Sequence, residues 1–279
     1  MARIFFGAAF CTALAVLGPM LSGCSSVGGS APDAHVAEVE PDQSGVTAAN
    51  IGSLSDVIQR NPNDSAAYNT RGAAYARAGR YQNAIDDFTR AVQIDPNFAA
   101  AYTNRALAYR QVKKDNLALA DFDQAIAVNP NHAAAYLGRA NLLRAQGHPS
   151  EALADLDAAI RLNPEGAQAF HARGLIYQLQ GNNAQAITDF NNAIDRDPFA
   201  GAPYQARGQS LIAVGKYDAA IEDFNAALNV DAHNADAWAG LGLAYEKLGN
   251  RAKAVENYGR ALSLDKSNEV ARQGLDHLR

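Results

Sequence analysis

From residue 65 to 268, small and apolar residues fall on short helical stripes separated by polar breaks. In the first unit Tyr68, Gly72 and Tyr75 share one stripe, and Ala84, Ile85, Phe88, Ala91 and Val92 form the next. Spacings of three and four put each set on one helix face, which predicts helices over 65–78 and 81–94. Asn63, Asp64 and Ser65 offer side-chain oxygens to the free N–H groups at the start of the first helix. Gly79-Arg80 breaks it, because glycine enters the left-handed C-cap conformation without a Cβ clash. Asp95-Pro96 ends the second, since the residue before a proline is pushed out of the helical region.

The unit then recurs. Pro62, Pro96, Pro130, Pro164 and Pro198 stand 34 residues apart, and an aromatic follows each by six: Tyr68, Tyr102, Tyr136, Phe170 and Tyr204, continued by Trp238. An alanine series (Ala84, Ala118, Ala152, Ala186, Ala220, Ala254), a bulky one (Phe88, Phe122, Leu156, Phe190, Phe224, Tyr258) and a second alanine series from Ala91 to Ala261 keep the interval. A fixed period of this length marks a repeat array, and one such hairpin must stack on neighbours to bury its apolar face. Lys113 holds the turn position that is glycine at 79, 147, 181, 215 and 249. A left-handed lysine costs about 1 kcal/mol, so that turn is expected to be slightly remodelled. Ala232 and Lys266 replace proline late in the array and soften those boundaries.

One polar series keeps the same period. Arg71, Arg105, Arg139, Arg173 and Arg207 lie in first helices, and Asp87, Asp121, Asp155, Asp189 and Asp223 in the second helices of the same repeats. In the sixth repeat both change together, to Leu241 and Asn257. The joint switch predicts an Arg–Asp pair in each of the first five repeats, a charge-assisted hydrogen bond between helices. The alternative is an arginine ladder for an anionic ligand.

The period and the aromatic–Gly–Tyr–Ala–Phe–Ala–Pro order resemble the tetratricopeptide repeat over residues 65–268. The resemblance implies an all-α fold, a right-handed α-solenoid of six helix-turn-helix repeats over 63–268, with ligands in a concave groove lined by first helices. The matching groove positions are Asn69 and Arg77, then Arg110 and Gln111, Asn141 and Arg144, His171 and Gln178, Gln205 and Gln209, and Asp236 and Glu246. Thr103 is expected there too. Arg77, Arg110 and Arg144 read as a positive strip in register on three successive first helices, suited to an extended partner segment with carboxylates. The Lys/Asn/Arg clamp of chaperone-binding relatives is missing, because Ala73, Ala134 and Gly138 stand where it needs polar side chains. A Glu-Glu-Val-Asp-type terminus is therefore not the expected ligand.

The ends differ in character. Residues 48–62 read as an N-terminal capping helix with Ile51, Leu54 and Ile58 on one face. Residues 269–279 read as a polar-backed C-terminal cap with Val270, Leu275 and Leu278 on one side. Arg3 precedes an apolar run from Ile4 to Leu17, too short to span a bilayer comfortably and suited to the core of a secretory signal. Leu21-Ser22-Gly23-Cys24 follows and resembles a bacterial lipobox. That resemblance implies a signal peptide over 1–23, acylation of the Cys24 thiol by palmitate-type chains, and a lipid-anchored protein of the bacterial envelope. Ser25 favours the outer membrane by the enterobacterial sorting rule. Residues 24–47, rich in Ser, Gly, Pro, Asp and Glu, are expected to form a flexible lipidated tether. About 23 such residues span ~25 Å on average.

Composition narrows the function further. Lys and Arg number 24 against 29 Asp and Glu, a net charge of −5 that argues against nucleic acid as a partner. Cys11 lies in the expected leader and Cys24 carries lipid, so no disulfide is expected. His35, His132, His148, His171, His233 and His277 show no metal-ligand spacing, and no phosphate loop, Ser-His-Asp order or Cys-x-x-Cys is present. No catalytic residue, cofactor, metal or small-molecule substrate is expected. The reading is a non-catalytic scaffold for envelope proteins. It resembles NlpI-like adaptor lipoproteins, which bring proteases and peptidoglycan hydrolases together, or the pilotin class, which assists secretin or pilus assembly. A soluble cytoplasmic scaffold is the alternative if the lipobox match is accidental.

Overall fold

The helices begin and end where local chemistry dictates. A computed structural model describes residues 45–279, so the predicted leader, Cys24 and most of the predicted tether lie outside the described residues. Helix α1 (Gly45–Arg60) precedes six hairpins: α2 (Ser65–Arg77) with α3 (Tyr81–Ile94), α4 (Ala99–Gln111) with α5 (Asp115–Val128), and α6 (Ala133–Ala145) with α7 (Pro149–Leu162). Then come α8 (Ala167–Leu179) with α9 (Asn183–Arg196), α10 (Gly201–Ala213) with α11 (Tyr217–Val230), α12 (Ala235–Lys247) with α13 (Arg251–Leu264), and finally α14 (Glu269–His277). Side-chain oxygens of Asp64, Asn234, Asn250 and Asn268 accept from backbone N–H groups three residues on, capping α2, α12, α13 and α14. Helix α1 starts at Gly45, three residues inside the stretch read as tether. Alanines 48 and 49 favour that extension.

The turns inside the hairpins are uniform. Gly79, Gly147, Gly181, Gly215 and Gly249 take φ between 71° and 81°, and Lys113 takes φ 59° at the same place. The Lys114 N–H donates to the Tyr109 carbonyl at 2.9 Å, as the Arg80 N–H does to Tyr75 at 2.8 Å. The expected remodelling is therefore absent, because the helices packed on both sides over-determine the turn and hold lysine in a glycine conformation. Lys113→Gly is expected to stabilise the protein by about 1 kcal/mol, a rise of roughly 2–4 °C in a thermal melt. An unchanged melting temperature would show that the lysine is not strained.

Curvature follows from which helices touch. First helices of successive repeats pack on one another (α2 on α4, α4 on α6, and so on to α12 on α14), whereas among the described residues the backbones of successive second helices stand farther apart. The array therefore bends toward its first helices, which line the inner face. Between the layers, Phe88, Phe122, Leu156, Phe190, Phe224 and Tyr258 are at most 1% exposed. Each is closed over by its own first helix and the next. A Cβ on Gly72 would stand 2.7 Å from the Phe88 ring, one on Gly138 2.4 Å from Phe122, and one on Gly174 2.6 Å from Phe190. Phe224 has Gly208 and Gly240 on its two sides, and Tyr258 has Gly242 and Gly274. Leu156, smaller than a ring, packs with Ala140 and Ala172 instead.

Helix α14 presents Ala271, Gly274, Leu275 and Leu278 to Tyr258 and its neighbours. Val270, expected on this face, lies at its rim and is 46% exposed. Among the described residues no helix is long and apolar enough to cross a membrane.

Candidate functional site: the concave groove

The arginine series shapes the groove by what it does not leave free. Arg71 donates through Nε and Nη2 to the two carboxylate oxygens of Asp87, both at 2.7 Å. The same fork joins Arg105 to Asp121, Arg139 to Asp155, Arg173 to Asp189 and Arg207 to Asp223 at 2.6–2.8 Å. Aromatic rings flank the guanidiniums: Arg71 lies 5.7 Å from Tyr68 and 5.8 Å from Tyr75. A third contact escaped sequence reasoning. Each Nη1 reaches back to the preceding second-layer helix, donating to Ser55, Thr89, Asp123, Asp157 and Asn191 in turn. Each arginine therefore ties three helices and two layers of the stack. Hydrogen bonds to Asp155, and less strongly to Asp123, raise the Arg139 pKa against the effect of burial, and Arg173 is held likewise by Asp189 and then Asp157. These arginines are paired within the fold itself rather than left for a ligand. In the sixth repeat Leu241 is 2% exposed, and Asn257 donates instead to the Lys253 carbonyl at 2.8 Å.

Several residues expected to face a ligand fasten repeats together. Asn69 accepts from Asn104 at 3.0 Å, and Gln178 donates to the Ala206 carbonyl and Ser210 hydroxyl at 2.8 and 2.9 Å. Gln205 accepts from Asn234 at 2.6 Å, Asp236 from Asn268 at 2.7 Å, and Glu246 from the Tyr258 hydroxyl at 2.7 Å. Burial, helped by that bond to Glu246, raises the Tyr258 pKa. Thr103 is buried and donates to the Ala99 carbonyl at 3.0 Å, so it does not face the groove. Asp236 and Glu246, the two acids expected at the last groove positions, are thus committed to internal bonds.

Five of the seven remaining candidates lie on repeats one to three, with His171 and Gln209 on repeats four and five. Arg77, Gln111 and Gln209 are exposed, while Arg110, Asn141, Arg144 and His171 are half-buried. Arg110 and Arg144 share one register position, whereas Arg77 aligns with Gln111, one residue farther on. The expected strip of three is therefore two half-buried arginines in line with an exposed one at the rim. Among the described residues no carboxylate pairs with any of them, and the Arg144 Nε is buried without an acceptor. Burial first, and then the Arg144 charge, lower the His171 pKa and keep that ring neutral at pH 7. Between α2 and α4 lies a cleft with Ala73, Ala76, Leu107 and Ala108 on its walls, Phe88 and Tyr81 beneath, and Asn104, Arg110 and Gln111 around it. Helices α2, α4, α6, α8 and α10 carry no Asp or Glu. The site can hold an extended chain by its apolar side chains and neutralise its carboxylates. Among the described residues no group of three or more His, Cys, Asp or Glu is placed to hold a metal ion.

Tetratricopeptide repeat profiles match residues 65–98, 99–132 and 235–268, a further one matches 137–201, and a TPR repeat profile matches 208–249. The chain belongs to the tetratricopeptide repeat family. Its TPR array superposes on a chain of the APC/C hetero-tetramer Cut9-Hcn1 with a TM-score of 0.73 at 18% identity, covering 83% of this chain. It spans only 46% of that longer protein. PilW, described as a widely conserved type IV pilus biogenesis factor, is similar with a TM-score of 0.67 at 21% identity, over 76% of this chain and 98% of PilW. YrrB, described as a TPR protein with an unusual peptide-binding site, is similar with a TM-score of 0.58 at 25% identity, over 68% of this chain and 97% of YrrB. The likeness to the first two is one of fold. Comparison with curated protein sequences gives no match.

Proposed function

We propose that this TPR protein is a non-catalytic adaptor that holds a carboxylate-bearing segment of a partner protein along repeats one to three, anchored to the bacterial envelope by a lipid on Cys24. The observation that carries the binding reading is the in-register pair of half-buried arginines Arg110 and Arg144, the first of them lining an apolar cleft, with no carboxylate of their own among the described residues. A partly desolvated, unpaired guanidinium gains more from an incoming carboxylate than a solvated one does. The envelope placement rests on the apolar run Ile4–Leu17 and the tetrad ending in Cys24. The span of PilW that this array covers supports a second reading, an assembly factor for a pilus or secretin.

Crosslinked envelopes test both. Reversing Arg77, Arg110 and Arg144 to Glu is expected to weaken capture of the main partner at least tenfold, about 1.4 kcal/mol, with helix content and melting nearly unchanged. Proteases or peptidoglycan hydrolases among the captured proteins support the adaptor, and secretin or pilus subunits the second reading. Wild-type capture by the variant would place binding elsewhere. In the same cells Cys24→Ser should release the protein from membranes or leave it unprocessed.

A further inference from the structure

The inner face offers two positive charges at a fixed interval. Arg110 and Arg144 each hold the next-to-last place of a first helix, α4 and α6, one 34-residue repeat apart. Those two helices pack directly on each other, and packed helices stand about 8–10 Å apart. Both side chains are half-buried, and the Arg144 Nε is buried with no acceptor. The first helices of repeats one to five carry no acid, so a ligand that meets these guanidiniums must bring the carboxylates.

That interval selects a backbone. On a β-strand, acids two residues apart lie only about 6.6 Å apart, and acids three apart point to opposite faces. A polyproline II chain rises about 3.1 Å per residue with three residues per turn, so acids three apart share one face at about 9.3 Å. Its carbonyls form no internal hydrogen bonds, and Asn141, one turn before Arg144, offers them an amide. An α-helical ligand would need acids seven apart, at about 10.5 Å, and would bring backbone carbonyls already bonded. The apolar cleft adds a third point. It opens between α2 and α4 because Ala73 stands where the next three repeats have Leu107, Asn141 and Leu175. It therefore lies on the side of Arg110 away from Arg144, about half a helix spacing off, or one to two residues of extended chain.

We infer that this groove selects a polyproline II segment carrying two acids three residues apart, one on Arg110 and the other on Arg144. A valine-sized side chain one or two residues outside the Arg110 acid fills the cleft walled by Ala73, Ala76, Leu107 and Ala108. The inference rests on the groove reading above and names the ligand class of that site.

Capped, labelled peptides titrated into the purified full chain test this by fluorescence anisotropy. The probe is Val-Pro-Glu-Pro-Pro-Glu-Pro-Val, whose sequence reads alike in both directions. It is compared with proline-rich peptides of equal charge whose glutamates stand two or four residues apart, with glycine in place of both valines, and with an alanine-based helix whose glutamates stand seven apart. The probe is expected to bind at least tenfold more tightly than the other spacings and the helix, and at least threefold more tightly than the glycine peptide. Arg110→Gln and Arg144→Gln should each erase the preference for spacing. No binding by the probe, equal affinity across the spacings, tighter binding of the helix, indifference to the valines, or a preference that survives both substitutions would each overturn the inference. If no spacing is preferred while the arginine reversals still abolish partner capture, this inference alone fails. A clear spacing preference with unaltered partner capture would sink the partner reading alone.

Discussion

Gly242→Ala is expected to destabilise the C-terminal end of the array by about 3 kcal/mol. The added Cβ would stand 2.4 Å from the Tyr258 ring, and the ring has nowhere to go. On its other side a Cβ at Gly274 would lie 2.2 Å away, and the hydroxyl is pinned to Glu246 at 2.7 Å. In a repeat array each unit is held by its neighbours, so the loss should appear as early opening of α12–α14 rather than as a uniform shift. Hydrogen exchange resolved by segment measures it. Gly259→Ala is the control: a Cβ there meets nothing within 4 Å, so helix propensity should make that change stabilising by about 1 kcal/mol. If both variants open alike, the clasp around Tyr258 does not act as described.

Arg173→Leu should be comparably damaging and, unlike the glycine change, repairable. It strands Asp189, which is only 3% exposed, and removes the tie to Asp157; loss of one partner of a buried pair costs about 3 kcal/mol. Adding Asp189→Asn copies the sixth repeat, where leucine fills the arginine site and Asn257 bonds a carbonyl one turn back. The double variant should recover more than half of the loss in thermal melts of the four proteins. Strictly additive losses would show that the two residues are not coupled.

The pairing in this cycle was legible because one repeat departs from it, so the sequence held its own comparison. The third arginine contact left no such trace. Ser55, Thr89, Asp123, Asp157 and Asn191 share only an acceptor oxygen, and residue-type periodicity does not register a shared atom. Helix bounds were legible from glycine and proline. The turn at Lys113 was misjudged because local propensity ignores the packed helices on either side. In the groove, a matched position says which way a helix face points and not whether its side chain is already used. Gln178, Gln205, Asp236 and Glu246 bond partners 32, 29, 32 and 12 residues away, separations outside the 34-residue register. Among the described residues Arg110 and Arg144 have no carboxylate partner, because the neighbouring first helices carry no acid and the nearest buried aspartates of the second helices are taken by the arginine series.

The glycine clasps also mean that six aligned repeats are not interchangeable. Phe122 has Ala106 in its own first helix, so only a successor with a glycine like Gly138 can shut over it. Phe190 has Gly174 at home and tolerates Ala206 beyond, while Leu156 accepts alanine on both sides. Each junction therefore carries a matching rule, and the order of the units is written between them. Transplanting repeat five behind repeat two would set Phe122 between two alanines, whereas repeat six could follow repeat two without that clash.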